Sequence, residues 1–155
     1  MKKYFLLFLC ITFIKINTFA QNWEKIKVAS WQFQISLPSN AQQVIDNDAC
    51  VLVGKAEGHK FQVIVKKNEA QASENALLNE SMNGFVDTQT DKIVSRKDIK
   101  VQNFVGKELN ITTNKGKEIV MRTIIAKNKT YLLIVLANNL DDKNVKQFFN
   151  SFMIK

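Results

Sequence analysis

The sequence predicts an α+β domain, an antiparallel sheet flanked by helices in a three-layer α/β/α sandwich. Three observations carry this. Strand-like segments follow one another through the second half with turn residues between them, two segments of helical period bracket those strands, and the central strands are apolar on both faces. A sheet apolar on both faces needs cover on both sides, and the helices are the available covers.

The chain opens Met1-Lys2-Lys3, runs apolar from Tyr4 to Ile14, and closes with Thr18-Phe19-Ala20 before Gln21. These are the basic, apolar and small-residue parts of a secretory leader, so cleavage is expected between Ala20 and Gln21. The run is well short of the roughly 20 apolar residues a membrane-spanning helix needs. The expectation is an exported protein, periplasmic or secreted, with residues 1–20 as signal peptide, residues 21–155 as a single domain and no integral membrane span after cleavage. Removing Lys2, Lys3 and Lys15 but no acid lowers the formal charge from +8 to about +5. That modest excess favours solubility and weak attraction to anionic envelope polymers, but it forms no concentrated basic stripe, and no nucleic-acid partner is expected. Cys50 becomes the one remaining cysteine, so no internal disulfide can form.

Along the mature chain, Trp31 to Leu37 alternates Trp31, Phe33, Ile35 and Leu37 with polar residues and ends at Pro38, which reads as a half-buried strand. Cys50–Ala56 and Lys60–Lys67 read as a hairpin around Glu57-Gly58-His59. From Ser73 to Lys92 the period becomes helical, with Leu78, Met82, Phe85 and Val86 on one side and Ser73 placed to cap the start. Strands are then expected at 93–99, 104–113, 117–127 and 130–138. A three-residue loop Asn114-Lys115-Gly116 with Gly116 left-handed would pair Leu109 with Met121, Ile111 with Ile119 and Val105 with Ile125. A two-residue loop at Asn128-Lys129 would set Ile125 opposite Leu132, Thr123 opposite Ile134 and Met121 opposite Leu136. The other face then carries Val120, Ile124, Ala126, Tyr131, Leu133, Val135 and Ala137. The last helix starts at Asp141 or Asp142 and buries Val145, Phe148, Phe149 and Phe152.

No catalytic, cofactor-binding or metal-binding motif stands out. His59 is the sole histidine and has no ligand set at metal spacing. The same scarcity leaves a serine or cysteine nucleophile without a base other than this one turn residue. The five glycines include no phosphate-cradling pattern. Asn-x-Ser/Thr triplets at Asn79, Asn110 and Asn128 read as chance in an Asn-rich chain. One constellation is unusual: Glu108 and Arg122 fall opposite each other among apolar neighbours. A cross-strand ion pair is the plain reading. The functional one is a ligand anchor, because arginine takes carboxylates bidentately; Glu108, Arg122 and Tyr131 are the candidate lining of such a site.

Phe33-Gln-Ile-Ser-Leu-Pro38, Gly106-Lys-Glu-Leu109, Arg122, Tyr131-Leu-Leu-Ile-Val135 and Phe148 with Ser151-Phe152 together resemble the exported bacterial relatives of the PsbP/Mog1 fold across the whole mature chain. The resemblance implies an antiparallel sheet flanked by helices and a protein that acts by docking. It transfers no partner and no site residue. Two functions follow as expectations. The first is a non-enzymatic extracytoplasmic binding or accessory domain for a protein or envelope component. The alternative is a small-ligand carrier or an enzyme with its pocket between sheet and helix.

Overall fold

The computed structural model describes residues 22–69, 72–86 and 91–155. The expected leader and its cleavage point after Ala20 lie outside the described residues. The strands are β1 (Trp23–Val28), β2 (Phe33–Pro38), β3 (Gln42–Ile45), β4 (Ala49–Ala56), β5 (His59–Lys67), β6 (Lys92–Val101), β7 (Phe104–Thr112), β8 (Glu118–Ala126), β9 (Lys129–Ala137) and β10 (Met153–Ile154), and the helices are α1 (Glu74–Asn83) and α2 (Lys143–Ser151). Seven strands form one antiparallel sheet in the order β3-β4-β5-β9-β8-β7-β6, and β1-β2-β10 form a second, smaller one.

Turn chemistry sets the register of the large sheet. Thr113 and Gly116 close the β7–β8 loop with Gly116 at φ 70°, and the ladder pairs Leu109 with Met121 and Ile111 with Ile119 as expected. The expected Val105–Ile125 pair falls one step past the last ladder pair, Gly106–Ile124. The β8–β9 turn differs. Lys127 and Asn128, at φ 50° and 59°, are its left-handed pair, so Ile125 faces Thr130 and Thr123 faces Leu132. Two successive left-handed residues match the strand twist in a two-residue hairpin. The register therefore moves by two residues from the expected one, and because side chains alternate with period two, every residue keeps its face.

The face bearing Val120, Ile124, Tyr131, Leu133 and Val135 is buried against the small sheet and α2. The opposite face buries Leu109, Ile111, Met121 and Ile134 against Met82 of α1. Helices thus lie on both sides of the sheet, but the sandwich of helical outer layers is found only in part. The layer over the first face is mixed, because β1, β2 and β10 share it with α2. Trp31 belongs to a short 3-10 turn, Ala29–Trp31, and the strand begins at Phe33; five of the six β2 residues are buried, so this strand is covered on both sides.

Both helices begin where their caps predict. The Ser73 hydroxyl accepts from the Ala76 N–H at 3.3 Å, and the Asp142 carboxylate accepts from the Asn144 N–H at 2.7 Å. The first helix ends at Asn83 rather than continuing toward Lys92, with Gly84 as its C-cap and Phe85 and Val86 packed on the cluster between α1 and the sheet. The second ends at Ser151, and Phe152, just past it, is still buried.

Gly106 shows why a strand can require glycine. A Cβ there would sit 2.6 Å from the Thr123 carbonyl oxygen on the neighbouring strand. Backbone on a paired strand cannot step aside, so Gly106→Ala is expected to cost about 2 kcal/mol by overpacking, read by denaturant unfolding. A neutral result would mean that β7 and β8 separate locally at no cost.

Candidate functional site

The registers place Lys97, Glu108, Arg122, Leu133, Val63 and Leu52 in one row that crosses β6, β7, β8, β9, β5 and β4. The row is apolar at its centre and charged toward the β6 edge. Arg122 Nε donates to Glu108 Oε2 at 2.6 Å, and Lys97 Nζ lies 2.7 Å from Oε1. The Glu108 side chain is 6 % exposed, against 29 % for Arg122 and 58 % for Lys97. Burial pushes the Glu108 carboxyl up, but the hydrogen bonds and charges of Lys97 and Arg122 outweigh it and hold the group below its usual range. Phe149 of α2 covers the cluster, its ring centroid 4.2 Å from the Arg122 guanidinium carbon.

An open cleft of about 210 Å³ lies between α2 and the sheet beside this cluster, lined by Glu108, Asn110, Val120, Arg122, Leu140, Val145, Lys146, Phe149 and Asn150. Asn110 sits one row along from Glu108, across from Val120, and its side-chain oxygen is buried with no hydrogen-bond partner.

The structure brings together two of the three candidate residues. Tyr131 is on the same face but lies under the small sheet, where its hydroxyl donates to the Trp31 carbonyl at 3.1 Å and its ring meets Phe33 and Phe152. Burial pushes that phenol up to about 12. Lys97 is the member that sequence reasoning missed. Its hairpin partner is set by a two-residue turn, Gln102-Asn103, with Gln102 at φ 55° and no glycine to announce it. Asn110 and Phe149 were visible as a strand and a helix residue, but only packing of α2 on the sheet places them together.

His59 is not a turn residue. Glu57 and Gly58, at φ 48° and 80°, make the β4–β5 turn, and His59 opens β5 paired with Ala56. It is buried, with Nε2 3.6 Å from Asp142 Oδ2 and its ring edge-on to Phe61. Among the described residues, no group of three or more His, Cys, Asp or Glu side chains is arranged to hold a metal ion, and no helix is long and apolar enough to cross a membrane. Cys50 is fully buried in the core between the large sheet, the small sheet and α2, and burial pushes its thiol up to about 11. Alkylation at neutral pH is expected only as fast as the protein unfolds, because the thiolate is the reactive form. Rapid labelling of the native protein by a small maleimide would show instead that this part of the core opens.

No protein-family model and no curated protein matches the chain. Solved structures do match. The chain has a PsbP-like fold. Cyanobacterial PsbP (CyanoP) from Synechocystis sp. PCC 6803 superposes with a TM-score of 0.65 at 10 % identity, over 87 % of this chain and 94 % of that one. A protein from Bacteroides thetaiotaomicron VPI-5482 matches at a TM-score of 0.49 and 11 % identity, over 87 % of this chain and 49 % of its own. A protein of unknown function from Pseudomonas aeruginosa matches at 0.42 and 11 %, over 77 % and 85 %.

Proposed function

We propose that the chain is a non-enzymatic binding or accessory domain that works outside the cytoplasm and docks on a protein of the cell envelope through an edge of its large sheet. The leader-like first twenty residues support the compartment, and the PsbP-like fold supports an accessory role. The observation that carries the docking reading is the position of the exposed apolar side chains. Of the large apolar side chains exposed among the described residues, Val44 and Ile45 lie on the β3 edge and Ile93 and Val94 on the β6 edge, with only Val105 and Met153 elsewhere. The pairing of β6 shifts between Ile93 and Ser95, so Val94 is the extra residue of a β-bulge, 61 % exposed. Bulges at sheet edges re-aim side chains, and an open edge offers main-chain hydrogen bonds to a partner strand. Lys92, Arg96, Lys97 and Lys100 on the same strand guard it against pairing with another copy, as edge lysines commonly do.

Cross-linking of the exported chain in intact cells, read by mass spectrometry, is expected to give one reproducible protein partner joined at β3 or β6. Val94→Asp or Val44→Asp should reduce that product by about tenfold or more, roughly the effect of 1.4 kcal/mol, with the melting temperature unchanged. A partner retained by both variants, or a chain that stays free in the envelope, would overturn the proposal.

A further inference from the structure

We infer that the cleft beneath α2 is a binding site for a small carboxylic acid with an apolar body and a second hydrogen-bond donor. This goes beyond docking at the sheet edges and stands or falls separately from it.

The charge balance points to an anion. Among the described residues Glu108 is the only acid lining the cleft, and both of its oxygens are already engaged, by Lys97 and Arg122. Arg122 spends its Nε on Glu108 and its face on Phe149. Among the described residues its two Nη groups donate no hydrogen bond, and a guanidinium fork held in place is suited to a carboxylate. Lys146 adds a second positive charge at the mouth, held only loosely by the exposed Asp141 at 3.6 Å.

Asn110 sets the second requirement. Its buried Oδ1 has no partner, and a buried acceptor left alone is costly, so a structure that keeps one usually has a use for it. That oxygen is closed off from solvent as the side chain stands, so the amide turns toward the cleft for an arriving hydroxyl or amine to satisfy it. Val120, Leu140, Val145 and Phe149 supply apolar walls. A dry cavity of about 150 Å³ accepts benzene, so the 210 Å³ here suits a ligand somewhat larger than one ring.

The test uses the full folded chain and three probes: para-hydroxybenzoate, which carries both features, benzoate, which lacks the donor, and para-hydroxybenzamide, which lacks the charge. Titration followed by protein NMR should show saturable shifts at Asn110, Val120, Arg122, Val145 and Phe149 with para-hydroxybenzoate. Each of the other probes should bind about tenfold more weakly, the loss of one good hydrogen bond or charge contact. Asn110→Leu should weaken para-hydroxybenzoate about tenfold while raising the melting temperature, because it removes the lone acceptor. Should that variant misfold, Asn150→Trp, at an exposed position on the rim, blocks entry without touching the core and should abolish the shifts. Absence of saturable binding by para-hydroxybenzoate, shifts that map elsewhere, or affinity unchanged in Asn110→Leu and Asn150→Trp would each overturn the assignment and leave the cleft as a water-filled seam.

Discussion

Phe148→Ala is expected to lower the unfolding free energy by about 3–5 kcal/mol, the largest effect of any single substitution considered. Phe148 is fully buried at the centre of α2, its ring 5.3 Å from Phe61 on β5 and 5.2 Å from Phe149, and Trp23 of β1 stands edge-on to Phe61 at 5.2 Å. The ring therefore ties the helix to the large sheet, and Phe61 in turn carries the contact on to Trp23 of the small sheet. Truncation removes its transfer free energy and leaves a cavity, because rings held from both sides cannot close over the gap. Denaturant unfolding should show a lower midpoint with an unchanged slope. A cost below about 1 kcal/mol would mean that α2 readjusts on the sheet, which would also dissolve the cleft beneath it.

Glu108→Gln is expected to cost about 2 kcal/mol at neutral pH. Removing one partner of a fully buried ion pair costs about 3–5 kcal/mol, but Arg122 and especially Lys97 reach solvent, which screens their share. The amide keeps the shape and loses the charge, so Arg122 is left under Phe149 without its counter-ion. The pH dependence identifies the cause. The Glu108 carboxyl is depressed in the folded protein relative to 4.5, so the unfolded chain binds its proton first as pH falls. The stabilisation is fully present above the unfolded value and is lost as pH drops through the folded one. Wild type and Glu108→Gln should therefore differ at neutral pH and converge in acid. A difference that stays constant down to the end of the acid limb would assign the loss to packing instead of charge.

Much of this fold is legible in local pattern. Alternation, turn residues and caps identify seven of the ten strands among the described residues and the starts of both helices there, and the Gly116 loop alone aligns Glu108 with Arg122. The missed strands have physical reasons. β3, Gln42–Ile45, is exposed throughout and has no buried face to impose alternation. β1 buries only Val28 and mixes Glu24, Lys25 and Lys27 with its apolar residues, and β10 has only two residues, both held by pairing with β2. A strand whose partner lies more than a hundred residues away leaves little trace in its own sequence.

The candidate site divides along the same line. By itself, the sequence determined which residues share a face, because the period of two in a strand and of 3.6 in a helix is written locally and survives even the two-residue register change at Lys127-Asn128. It determined the Glu108–Arg122 pair as well, because the Gly116 loop, also written locally, sets the register of β7 against β8. Only the tertiary structure decided what lies over that face: α2 above Arg122, the small sheet above Tyr131, Lys97 reaching in from the edge and Asn110 left facing a cleft. Those placements depend on how separate elements pack, and packing follows the complementarity of whole surfaces, which no single segment encodes.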